Sequence, residues 1–146
     1  MAGPRETRYP ITSPATPMPG KPDIAREMVD VFSNPVFAFA STLQLITTDK
    51  HPEMAGYENG IYATVQDPDW IMVSTAPERE KAAIFETKGT GPYGRNLRVV
   101  VDYDAPTYTL GGTRGKITTA YPRDVRRYPD PQVGEVIYSK KKGMVK

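Results

Sequence analysis

Apolar residues change their spacing along the chain, and the changes divide it into three stretches. Residues 1–23 hold six prolines and almost no apolar periodicity. Proline lacks an amide donor and favours extended backbone, so this stretch reads as an arm or linker. At Asp23, which can cap a helix, the pattern shifts. Ile24, Met28, Val31 and Phe32 follow at helical spacing until Asn34-Pro35 breaks it. Val36 to Ile46 is strongly apolar and fits a buried helix or a buried strand, with helix preferred. Thr48-Asp49-Lys50-His51-Pro52-Glu53 reads as a helix start, with a capping oxygen, a proline in the first turn and a carboxylate near the positive end of the dipole. The helical stretch runs to about Gln66, and Asp67-Pro68-Asp69 ends it.

The remainder reads as β. Strands are expected over Trp70–Thr75, Lys81–Thr87, Asn96–Tyr103 and Lys116–Tyr121, with a short edge strand over Val133–Tyr138. The run Val99-Val100-Val101 implies burial on both faces and a central place in the sheet. Pro77, the loop Gly89–Gly94 and Gly111-Gly112 supply the turns. Helices first and strands afterwards predict an α+β fold, with N-terminal helices packed on an antiparallel sheet of four or more strands. Three parts are expected: an arm over 1–23, one domain over 24–122 and a tail over 123–146.

Charge sharpens this division. The net charge of the 146 residues is only +2. Residues 1–23 carry three basic and two acidic side chains, residues 24–122 nine and twelve, and residues 123–146 seven and three, giving +1, −3 and +4. A basic tail with Arg123, Arg126, Arg127 and Lys140-Lys141-Lys142 either attracts a polyanion through counterion release or simply keeps the chain soluble. The sequence has no cysteine, which excludes disulfides, iron–sulfur clusters and thiolate zinc sites, and one histidine, which excludes a histidine-rich metal cage. No metal and no cofactor are expected. No apolar run approaches the roughly 20 residues that cross a membrane. The N-terminus lacks the apolar core of a signal peptide, so a cytoplasmic location is the default expectation.

Gly89-Thr90-Gly91-Pro92-Tyr93-Gly94 matches a nucleotide-binding G-x-G-x-x-G in letters only, because a strand follows it where the dinucleotide fingerprint needs a helix. It reads as a hairpin loop whose glycines and Tyr93 could approach a nucleic-acid backbone or stack on a base. His51 is either structural or a proton carrier; imidazole ordinarily titrates near neutral pH. Thr119 and Tyr121 alternate with Thr118 and Ala120, so they share one face of their strand. Arg79, Lys81, Lys88, Arg95, Arg98, Arg114 and Lys116 could converge on one sheet face, or form a solvated charged surface. RNA cleavage without metal needs such a set: a base for the 2′-hydroxyl, cations for the charged phosphorane and an acid for the leaving 5′-oxygen.

The ordered series His51-Pro52-Glu53, Asp67-Pro68-Asp69-Trp70, the strands Lys81–Thr87 and Asn96–Tyr103, and Thr118-Thr119-Ala120-Tyr121 resembles the phage-associated branch of the barnase–EndoU–colicin–RelE-like nucleases. The resemblance covers roughly residues 41–122. It implies helices on a four-stranded antiparallel sheet and RNA cleavage without metal, often as a toxin. It also implies a catalytic set of His51, Lys81, Arg98, Thr119 and Tyr121. RNA would then be held by Arg79, Lys88, Tyr93, Arg95, Arg114, Lys116, Arg126 and Arg127. An antitoxin or immunity protein is an expected partner, and a virion-associated location follows if a phage encodes the chain. The family's second histidine has no counterpart in residues 44–50. The competing expectation is a non-enzymatic assembly protein, tied into a virion or other large complex by its proline-rich arm and basic tail.

Overall fold

The computed structural model describes residues 23–73, 81–124, 135–140 and 143–144. The arm over 1–22 and Arg79, Arg126 and Arg127 lie outside the described residues. The chain opens with a hairpin of β1 (Ile24–Val29) and β2 (Pro35–Phe39). The helix expected over Ile24–Phe32 is therefore a strand and turn. A spacing of four is compatible with one face of a strand as well as of a helix, and the turn decides the outcome; a bulge between Ile24 and Arg26 then sets Ile24 beside Phe39 while Met28 enters the core. The buried Asp30 carboxylate accepts the amides of Phe32 and Asn34, both at 2.8 Å, and Ser33 adopts φ +69°. This is Asx-turn chemistry of the kind that competes with helix. Asp23 does cap a helix, but from across the hairpin: its carboxylate accepts the Ser41 amide at 2.8 Å.

The apolar run over Val36–Ile46 is divided between two elements. Val36 and Ala38 alternate into the core from β2, and α1 (Ala40–Leu45) follows at once. A π-turn (Ile46–Lys50) extends α1, and a 3-10 turn (Pro52–Met54) comes after His51. The helix expected to begin at Thr48 begins at Glu58 instead, as α2 (Glu58–Gln66). Gly56, at φ +88°, separates it from the preceding turn. Asp67 terminates α2, as its Asp-Pro-Asp sequence suggests.

The strands β3 (Trp70–Val73), β4 (Ala82–Thr87), β5 (Asn96–Tyr103), β6 (Gly115–Arg123), β7 (Glu135–Ser139) and the two-residue β8 (Gly143–Met144) complete the described chain. Among the described residues the sheet has eight strands in the order β1-β2-β6-β5-β4-β3-β7-β8. The meander β3-β4-β5-β6 is antiparallel throughout, and β5 lies inside it. The fold is α+β, with two corrections. A strand pair precedes the helices, and the sheet is mixed because β2 runs parallel to β6. The C-terminal boundary also moves, since β7 pairs with β3 and Arg123 is a buried strand residue.

The two faces of the sheet differ. Leu97, Val99, Val101, Phe85, Ile71, Ile117 and Ala120 point to the face covered by the helices, where α2 supplies Ile61, Tyr62 and Val65. The other face carries a smaller cluster of Met72, Ile84 and Val100, flanked by Trp70, Tyr121 and Val136. One irregularity sets which β6 residues reach which face. Val101 pairs with Ile117 and Val100 with Thr119, so Thr118 is an extra residue, a β-bulge. Below it, Gly115 lies under Val101 and Tyr103; a Cβ there would meet Val101 Cγ1 at 2.7 Å and the Tyr103 ring at 2.9 Å. Gly115→Ala is expected to destabilise the fold by about 1–3 kcal/mol, as overpacked cores do. Urea unfolding should show a lower midpoint at unchanged slope, and wild-type stability would refute the close approach.

Candidate functional site

His51 is positioned by two core anchors. Ile46 and Met54, both 0% exposed, stand on either side of it. The amide of His51 donates to Ile46 O at 2.8 Å, closing the π-turn, and its carbonyl accepts from Met54 N at 2.8 Å. Such π-turns recur at functional sites because the extra residue re-aims a side chain. The segment lies at the edge of β6 left uncovered by β2, which pairs with β6 only at Gly115 and Lys116. There the imidazole meets the Tyr121 ring, with centroids 5.6 Å apart and planes tilted by 33°. His51 Nδ1 is 3.8 Å from a Glu53 carboxylate oxygen, and both side chains are about one-third exposed. The pair is too long for a hydrogen bond but close enough to favour one ring orientation.

Tyr121 belongs to a cross-strand row. It pairs with Arg98, Arg98 with Glu86, and Glu86 with Trp70. Glu86 is 0% exposed and is held by three donors. Arg98 Nε donates at 2.6 Å, Arg123 Nη2 at 2.8 Å and the Asn96 amide at 2.7 Å. Burial by itself would raise the Glu86 pKa; the hydrogen bonds from Arg123, Arg98 and Asn96 outweigh it and hold the carboxyl below its ordinary range. One carboxylate and two guanidiniums thus form a buried ionic cluster next to Tyr121. Among the described residues, Arg98 Nη2 and Trp70 Nε1 are buried donors with no acceptor.

The loop between β4 and β5 closes the same end of the sheet. Lys88 donates its amide to Asp69 at 2.7 Å and holds its ammonium 5.3 Å from the centre of the Trp70 ring. Gly91 donates to Arg95 O at 2.8 Å, in a turn so tight that a Cβ on Gly91 would lie 3.1 Å from that oxygen. Tyr93, in the left-handed region at φ +60°, is 81% exposed, with the Arg95 guanidinium 5.5 Å from its ring centre. A bulky residue in that region carries strain, which recurs at binding loops.

The structure thus brings His51, Tyr121 and Arg98 together, with Lys88, Tyr93 and Arg95 at the same end of the sheet. Thr119, paired with Val100, shares the sheet face of Tyr121. Arg98 differs from the open-cleft cation expected of it: it is 5% exposed and committed to Glu86. Lys81 does not join the site, because it lies five positions along β4 from Glu86, roughly 17 Å at strand rise. Arg114 and Lys116 also belong to the far end, where Arg114 pairs with Asp104 at 2.8 Å. Glu86, Asn96, Arg123 and Glu53 are the residues that sequence reasoning missed. Glu86 had a signal: it is a charge inside the apolar string Ala82–Phe85, and it implies buried cations on the neighbouring strands.

Glu86→Gln removes the charge that two buried guanidiniums require, and is expected to cost about 3–5 kcal/mol, as broken buried pairs do. The folded-state pKa of Glu86 is depressed, so its contribution is present above the unfolded value. It is lost as pH falls through the lower, folded value. Wild-type stability should therefore decline with acid below about pH 4–5, near the ordinary carboxylate range, and the decline should be shallower in Glu86→Gln. Parallel curves in the two proteins would rule this out. Compared with known proteins, the chain matches no family model, no curated protein and no solved structure.

Proposed function

We propose that this chain is a metal-independent endoribonuclease of toxin type, cleaving RNA by attack of a 2′-hydroxyl on the adjacent phosphorus. The observation that carries the reading is the contact of His51 with Tyr121 at a partly exposed edge beside the buried cluster of Glu86, Arg98 and Arg123. His51 takes the 2′-hydroxyl proton, with Glu53 beside the ring to orient it. The oxygen closes on phosphorus, the bond to the 5′-oxygen breaks, and Tyr121 supplies the proton that the leaving oxygen needs. The Thr119 hydroxyl, on the same sheet face, is available to a phosphate oxygen. Lys88 and Arg95 neutralise the backbone, and the exposed Tyr93 ring offers a stacking surface for a base. The helices beside the antiparallel β3–β6 meander agree with the arrangement that the nuclease resemblance implies.

One observation favours the second reading, a non-enzymatic assembly protein. The cations nearest Tyr121, Arg98 and Arg123, are engaged with Glu86 rather than open to a phosphate. Incubation of the purified protein with total RNA separates the two readings. Cleavage is expected to persist in EDTA and to weaken as salt rises, since phosphate contacts carry much of the affinity. His51→Ala and Tyr121→Phe should each lower the rate by about 10²–10⁴-fold, the usual effect of removing one acid–base group. Cleavage indifferent to both substitutions would belong to a contaminant and leave the assembly reading standing.

A further inference from the structure

A concave site lies on the same sheet face as Tyr121 but toward the other end of β5 and β6. It is an open groove of about 310 Å³, lined by Ile24, Phe37, Phe39, Asp102 and Lys116, with the Asp104–Arg114 pair at its rim. The alternation of three strands makes it. Val36 and Ala38 of β2 point into the core, so Phe37 and Phe39 point the other way and stay half-buried. Val101 and Tyr103 flank Asp102, and Ile117 follows Lys116, which turns both charges to the same side. Phe37, Lys116 and Asp102 are direct neighbours across β2, β6 and β5. Two phenyl rings left partly exposed side by side on a sheet face, one strand in from the edge, form an apolar patch that a ligand can cover.

The chemistry of the lining narrows what that is. Asp104 and Arg114 satisfy each other at 2.8 Å. Asp102 and Lys116 face each other across the strand pair without forming an ion pair within 4 Å. A half-buried carboxylate without a donor, beside aromatic faces, suits a flat ring with adjacent N–H donors on its edge. Among nucleobases, only guanine carries two such neighbouring donors, N1–H and the N2 amino group, on its Watson–Crick edge. They match the two oxygens of one carboxylate, while Lys116 can reach O6 or a phosphate. The four charged lining residues sum to zero, which favours a ligand of mixed polarity over a simple ion.

We propose that this groove is a guanine-selective nucleotide subsite, with the base stacked on Phe37 and Phe39, its donors on Asp102, and Lys116 on its oxygen or phosphate. The subsite rests on the ribonuclease reading for its natural occupant, a guanine of the RNA strand a short distance from the scissile phosphate. Lys116 lies five positions along β6 from Tyr121, roughly 14–17 Å away with the bulge counted.

The test uses mononucleotides and the intact protein. In amide NMR titrations, GMP should shift residues around Phe37, Phe39, Asp102 and Lys116, and AMP, CMP and UMP should bind about tenfold more weakly or worse, the discrimination that one bidentate contact gives. Asp102→Asn, which replaces one acceptor oxygen by a donor, should abolish the preference for GMP. Phe37→Ala should weaken all four nucleotides by about 5- to 150-fold, the usual range for one stacking contact. Equal binding of the four, or shifts confined to the His51–Tyr121 end, would overturn the subsite, and the wild-type map decides this even if a variant fails to fold. GMP selectivity in a protein that leaves RNA intact would overturn the ribonuclease reading and keep the subsite. Cleavage without any nucleotide response in the groove would do the reverse.

Discussion

Glu86 is the constraint around which the sheet is organised. A carboxylate in a fully buried strand position is tolerable only if its neighbours bring charge-assisted donors to it, and they must come from fixed directions. Asn96 and Arg98 reach it from β5, and Arg123 from the end of β6. Three adjacent strands are thereby locked in one register at one end of the sheet. A slip of one residue would bury two guanidiniums against apolar side chains and leave the carboxylate alone. Apolar packing penalises such a slip through lost area; the ion cluster penalises it through uncompensated charge, which is steeper.

The opposite end of the sheet is tied down by neutral and singly charged groups. Tyr103 donates its hydroxyl to Asp30 at 2.6 Å, and Asn34 donates to Tyr108 O at 2.7 Å, so the β1–β2 turn is bonded to the loop after β5. Tyr103 and Tyr108 stack with centroids 4.5 Å apart. Burial, followed by the nearby Asp30 charge, pushes the Tyr103 phenol far above its ordinary pKa, and burial pushes Tyr108 up to about 12. Both rings therefore remain protonated donors at any pH the protein meets. The two polar networks hold the ends of β5, while its valines fill both faces between them. The functional contact forms beside the more strongly charged of the two.

How much of this was legible in the sequence depended on the length scale of the signal. β5 could be read residue for residue, because a valine run between Asn96 and Tyr103 has one favourable place in a sheet. The end of α2 was legible in Asp67-Pro68-Asp69. The hairpin at Ile24–Phe39 was not, since spacings of four satisfy helix and strand alike and the deciding Asp30 and Asn34 contacts are partly long-range. In the candidate site, the shared face of Thr119 and Tyr121 followed from alternation, whereas His51, read as part of a helix start, stands between the π-turn and the 3-10 turn. The burial of Arg98 did not, because a positive residue in a strand looks the same in sequence whether its partner is Glu86 or solvent. Lys81 was misplaced for a related reason: composition says that cations are present, but only strand register says at which end they lie.

The bulge at Thr118 gives the site an unusual relation to sequence length. Were all nine residues of β6 paired regularly from Gly115, with no bulge, Thr118 would stand opposite Val100. Thr119 would then stand opposite Val99, Ala120 opposite Arg98 and Tyr121 opposite Leu97. The strand would keep its hydrogen bonds and its apolar content, yet its phenol would turn into the helical core and a methyl group would replace it beside His51. Holding one residue out of the ladder at Thr118 thus reverses side-chain parity for the rest of β6, whereas deleting Thr118 outright would leave Tyr121 opposite Arg98. In this fold, the bulge is what separates a sheet that carries Tyr121 at its working edge from one of the same sequence that buries it.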